Sequence, residues 1–155
     1  MTRLQNSCAR ALTCAVVFGL FAMLPFAANG QGNTSVTKVV ADLAPPAGAA
    51  DATPKGKATA FYKQKGDSVS QRLAVTLEHL EKRTDYNVVI DGFLLGTFQP
   101  KGNSGTVVLR YRDPARGHQT LLPIELEPLS DLQTIQVFKA ESGELILEGT
   151  FDVVE

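Results

Sequence analysis

The stretch "YNVVIDGFLLGTF", Tyr86–Phe98, reads as two strands folded about a two-residue turn. Successive side chains of a strand point to opposite faces, so Tyr86, Val88 and Ile90 share one side. Asp91-Gly92 between two apolar runs is a hairpin signal, because both turn positions need a positive φ that Asp and Gly tolerate. The outgoing run puts Leu94, Gly96 and Phe98 on the inward side and Thr97 on the outer one. A glycine inside a strand marks a bulge or a close approach of other atoms.

That outgoing run occurs twice: "LLGTF" at Leu94–Phe98 returns as "LEGTF" at Leu147–Phe151. Working backwards at a constant offset of 49, "GKATAFYK" (Gly56–Lys63) aligns with "GTVVLRYR" (Gly105–Arg112). The same offset aligns "LAVTLEHL" (Leu73–Leu80) with "LPIELEPL" (Leu122–Leu129), and "YNVVI" with "IQVFK" (Ile135–Lys139). The pattern predicts two duplicated four-stranded units, residues 56–98 and 105–151. Inward rows are expected at Ala58/Ala60/Tyr62, Leu73/Val75/Leu77, Val107/Leu109/Tyr111, Leu122/Ile124/Leu126, Ile135/Val137 and Leu147/Gly149/Phe151. The rings of Tyr62 and Tyr111 are expected to cover Gly96 and Gly149 on neighbouring strands. Phe98 and Phe151 are expected to turn into the core.

Ahead of the repeats, "SVTKVVADLA" (Ser35–Ala44) reads as one more strand, leading into a Pro/Ala/Gly-rich linker, Pro45–Gly56. Nine strands without a helix predict an all-β domain, a β-sandwich or flattened barrel of two duplicated units plus an N-terminal strand. Pro123 within a strand places that strand at an edge.

Residues 1–30 have the layout of a secretory signal peptide. Arg3 and Arg10 precede the apolar run Ala11–Leu24, and small residues end in Ala28-Asn29-Gly30, with cleavage expected after Gly30 or Ala28. Residues 31–55 then hold the N-terminal strand and linker, and residues 56–155 the repeats. Both cysteines, Cys8 and Cys14, lie in the leader, so the exported chain has no disulfide, thiolate metal site or cysteine nucleophile. No transmembrane segment is expected once the leader is removed. The remaining chain is long enough for one domain stabilised by its core alone.

Charge is unevenly spread. Lys55–Arg116 holds 11 basic residues against 6 acidic, whereas Glu125–Glu155 holds 8 acids against Lys139 alone. This asymmetry describes a dipolar molecule. Neither part is basic enough, or interleaved with enough aromatics, to indicate a nucleic-acid partner.

Motifs for phosphate loops, zinc proteases and serine hydrolases are absent, and nothing points to a cofactor or a resident metal. His118, in a loop with Arg112, Asp113 and Arg116, is the catalytic candidate, since loops carry sites. His79 stands where the second half has Pro128, which fits a loop. Glu78 and Glu127 occupy equivalent repeat positions but are expected to face solvent. Glu125/Glu127 and Glu144/Glu148/Asp152 offer oxygens without the spacing of a calcium loop. The outward row is more specific: Lys57, Phe61, Lys63 and Lys65 share a face with Arg110 and Arg112. Basic residues around an aromatic bind anionic polymers or acidic protein surfaces. Lysines on a strand also protect sheet edges.

The layout G-K-A-x-x, L-x-V-x-L, V-x-I-D-G-x-x-x-G-T resembles small exported bacterial all-β domains of unknown function. It covers Val39–Phe98 and rests on turn and packing residues, so it carries no functional residue across. The expectation is an exported, non-enzymatic β-domain with a binding or structural role towards a protein or an anionic surface polymer. The alternative is a small hydrolase or carbohydrate-binding enzyme using His118. No motif specifies the oligomeric state.

Overall fold

A computed structural model describes residues 33–49, 53–100, 105–115, 117 and 119–154. The predicted leader, His118 and Arg116 lie outside the described residues. Among the described residues no helix is long and apolar enough to cross a membrane.

Two sheets pack face to face as an all-β sandwich. One has six strands in the order β10-β1-β2-β3-β6-β7: β1 Thr34–Leu43, β2 Lys55–Lys65, β3 Ser68–Glu78, β6 Val107–Asp113, β7 Thr120–Leu121 and β10 Asp152–Val153. The other has four, β5-β4-β8-β9: β4 Tyr86–Ile90, β5 Phe93–Phe98, β8 Thr134–Lys139 and β9 Leu145–Thr150. Alternation fixes which side of each strand is buried. Val39, Ala41, Ala58, Ala60, Leu73, Val75 and Leu109 from the first sheet meet Tyr86, Val88, Ile90, Ile135, Val137 and Leu147 from the second. The N-terminal strand is an inner strand of the larger sheet, paired with β2 along its whole length. Its other edge bonds β10, and beyond its end Ala44 exchanges backbone hydrogen bonds with Glu148 of β9 at 3.0 and 2.9 Å. One side of the sandwich is thereby closed.

The strands predicted from Gly56 to Phe98 all form, and Asp91-Gly92 is the two-residue turn, with φ of 48° and 82°. Asp91 does more than turn the chain. Its carboxylate accepts hydrogen bonds from the Thr134 N–H (2.7 Å) and hydroxyl (3.1 Å) and from the Gln133 N–H, tying the first hairpin to the start of β8. Asp91→Ala is expected to cost about 2 kcal/mol, from lost charge-assisted bonds and a left-handed alanine. Asp91→Asn should cost less than half of that. Urea melts of the two variants check the order.

The second half departs from the first. Leu122–Leu129 is not a strand but runs into two 3₁₀ turns, Ile124–Leu126 and Leu129–Asp131. Pro123 and Pro128 each lack the N–H a ladder needs and stand just before these turns. Leu122, Leu126 and Leu129 are buried while Ile124 is 77 % exposed, so the predicted alternating row does not exist. The segment plugs one end of the sandwich: Leu129 backs onto β1, β2 and β3, and its N–H donates to the buried Gln71 Oε1 at 2.7 Å. The halves are therefore not equivalent four-stranded units. Their hairpins also differ in register, since Gly96 pairs with Val88 but Gly149 pairs with Ile135, not with Val137.

Two further expectations change. A bulge at Leu95 breaks the alternation of β5, so Leu95 is buried and Leu94 is 52 % exposed. The tyrosines do not cover the glycines. The space beside Gly96 is filled by the Phe98 ring, and that beside Gly149 by the Asp42 carbonyl and Leu43. Tyr62 instead sits half-buried near the β2–β3 turn, donating to Gln64 Oε1 at 3.4 Å, and Tyr111 is buried. Phe151 enters the core as expected, while Phe98 packs at its margin.

Candidate functional site

Each strand of the larger sheet that buries alternate residues must present the others to solvent. In β2 those are Lys57, Thr59, Phe61, Lys63 and Lys65, because Ala58 and Ala60 face inward. In β6 they are Val108, Arg110 and Arg112. Register then aligns the neighbours: Lys38 of β1 pairs with Phe61, Phe61 with Arg72 of β3, and Arg72 with Arg112 of β6. The result is one row across four strands, about 14 Å long at the usual strand spacing. Lys63 lies beside the row on one side and Arg110 on the other.

Phe61 organises the row. The Arg72 guanidinium lies 3.9 Å from the ring centroid and the Lys38 ammonium 5.8 Å from it, both within cation–π range. Stacking holds the planar guanidinium in place and leaves its donors free to face outward. Two open hollows flank Phe61 and Arg72. One, of about 270 Å³, includes Thr59, Arg110 and Gln119; the other, of about 370 Å³, includes Lys63, Ser70 and Arg112.

The two ends of this face are treated differently. At one end Lys57 pairs with Asp42 at 3.0 Å and Lys55 with Glu78 at 3.4 Å. At the other, Lys38, Lys63, Lys65, Arg72, Arg110 and Arg112 have no carboxylate within 4.0 Å among the described residues. Arg72 and Arg112 stand directly opposite each other, and like charges in that position destabilise a sheet. The Arg112 Nε and Gln119 Oε1 are shut from solvent with no hydrogen-bond partner among the described residues, a further cost. Beneath them, burial pushes the Tyr111 phenol above its ordinary pKa.

Of the six residues predicted for an outward basic row, Phe61, Lys63, Arg110 and Arg112 come together around the centre. Lys57 is on the same face but its charge is neutralised by Asp42. Lys65 is on the face at the β2–β3 turn, away from the row. Lys38 and Arg72 were not among the predicted residues. Their signal is in the sequence, since Lys38 alternates with Val39 and Ala41, and Arg72 with Leu73 and Val75.

The other candidates do not assemble. His79 is exposed in a left-handed conformation after β3. Glu78 is bound to Lys55, whereas Glu127 follows a 3₁₀ turn, so the two are not equivalent. Among the described residues no three His, Cys, Asp or Glu side chains converge as metal ligands. The acids of the second half are dispersed: Glu125, Glu127 and Asp131 lie on the plug, Glu144 bonds Lys139, and Asp152 lies in β10. Glu81 and Glu144 raise the Lys139 pKa by binding its ammonium, so this lysine offers no free charge. No family model and no curated protein matches the chain, so the role of the basic face must follow from its own chemistry.

Proposed function

We propose that the chain is an exported, non-enzymatic β-domain that holds an acidic macromolecule on the outer face of its larger sheet. The observation that carries this reading is the selective neutralisation of the face. Lys55 and Lys57 have acidic partners, while the charges around Phe61 have none among the described residues. A sheet that places Arg72 against Arg112 without an anion gives up stability, and a bound anion recovers it. Export rests on the leader at residues 1–30.

The test uses the purified chain against three anionic probes: polygalacturonate, polyglutamate, and vesicles containing phosphatidylglycerol. At least one should bind at low salt and weaken as salt rises, because exposed charges are screened over about 8 Å at physiological strength. The double variant Arg72→Glu/Arg112→Glu should fold, as judged by its melting transition, and lose that binding. Absence of binding to all three probes would sink the reading.

A further inference from the structure

The chemistry of the face narrows its partner, and this step rests on the reading of the face as an anion-binding surface. We infer that the row Lys38–Phe61–Arg72–Arg112 binds a carboxylated polysaccharide lying across the strands.

Four properties separate this partner from others. First, Lys38, Phe61, Arg72 and Arg112 form a line that crosses β1, β2, β3 and β6 in register, with Lys63 and Arg110 on either side of it. An extended chain with repeating anions follows such a line, and strands about 4.8 Å apart offer it a cation or the Phe61 stack at each step. Second, the arrangement inverts that of a protein interface, which buries an apolar centre inside a polar rim. Here cations surround Phe61, and the exposed apolar side chains Val108 and Leu121 lie towards the sheet's edge, on β6 and β7. Third, Arg72 covers a face of Phe61 at 3.9 Å, and no second exposed aromatic lies on the row for successive bases to stack on. Single-stranded nucleic acid needs such free aromatic faces. Fourth, the Lys57–Asp42 and Lys55–Glu78 pairs leave one end of the face neutral, so an anionic bilayer laid on the whole face would gain no attraction there.

What remains is a narrow anionic chain that also carries hydroxyls. The hollows on either side of the row supply hydroxyl and amide groups for them, from Thr59 and Gln119 on one side and Ser70 on the other. Arginine at the centre suits a carboxylate, because its planar fork donates two parallel hydrogen bonds where lysine presents a point charge.

The experiment is calorimetric titration of the purified chain with oligogalacturonate, and with the same oligomer methyl-esterified so that backbone and hydroxyls stay but charge is lost. Oligogalacturonate should bind at least about tenfold more tightly than the ester, the loss expected for one charged hydrogen bond. Arg72→Gln and Arg112→Gln should each weaken it about tenfold on the same scale. Arg72→Lys, which keeps the charge but loses the fork, should fall between. Lys55→Gln is the control, since its charge is already paired with Glu78. Equal binding of acid and ester, or equal losses in Lys55→Gln and Arg72→Gln, would overturn the proposal. Binding of polyglutamate or vesicles in preference to oligogalacturonate would overturn it too, while leaving the basic-face reading intact. If no anion binds, both fall together. Melting each variant separates lost binding from lost fold, and Arg72→Lys tests the site even if a glutamine variant fails to fold.

Discussion

Gly105→Val should cost about 4 kcal/mol, a large share of the 5–15 kcal/mol expected for the whole domain. Two costs add. Gly105 has φ +62°, a left-handed conformation worth about 1–2 kcal/mol against any residue with a Cβ. Its Cβ would also run into the Leu80 carbonyl oxygen. Leu80 cannot retreat, because it is buried and its N–H donates to the Gly105 carbonyl at 3.0 Å. Gly117 separates the two costs. It has φ +61° with no described residue against it, so Gly117→Ala should show the conformational cost alone, about 1 kcal/mol. Urea titration of Gly105→Ala beside Gly117→Ala measures the difference. Equal losses would mean that the backbone of Leu80 is not where the fold places it.

Gly149→Val should cost about 3 kcal/mol, for a different reason. Gly149 needs no unusual φ; it needs room. A Cβ there would lie 2.7 Å from the Asp42 carbonyl oxygen and 3.4 Å from Leu43 Cγ, where β1 crosses β9. Valine must push β1 away and so break the two bonds between Ala44 and Glu148. Gly96→Val meets the tip of the Phe98 ring at 2.8 Å, which can swing aside at the edge of the core, but Gly96 also has φ +154°, a conformation valine rarely adopts. Its cost, about 2 kcal/mol, is therefore mainly conformational. Denaturant melts showing no loss in Gly149→Val would contradict the closed corner.

Periodicity made most strands readable, because a strand that buries one face must alternate. It placed Tyr86–Ile90 to the residue, and the side chains of Asp91 and Gly92 announced their turn. It misled at Leu122–Leu129, where buried leucines four and three apart, Leu122, Leu126 and Leu129, imitate a strand once aligned with Leu73–Leu80. The two prolines carried the warning, but Pro123 was read as an edge marker rather than as the end of a ladder. Gly96 signalled a bulge or close approach, but the bulge's place at Leu95 was not readable, since Leu94 and Leu95 are chemically the same and only the Val88–Val89 register separates them. The basic face was half-legible for a related reason. Alternation tells which residues face outward, but only strand order brings Lys38 and Arg72 beside Phe61. A repeat alignment supplies no strand order.

The closed side of the sandwich has a consequence for assembly. Val39 pairs with Val153, 114 positions later, and Ala44 with Glu148, 104 positions later. The β1–β2–β3 meander and the two hairpins involve near neighbours in sequence and can form early. The outer edge of β1 cannot be covered until nearly the whole chain is present, and contacts of such long range close slowly. Until then a ten-residue strand presents a bare row of amides and carbonyls, the template from which intermolecular sheets grow. A chain stopped short of Glu148 keeps that template permanently, and its first strand is left to find the missing neighbour on another molecule.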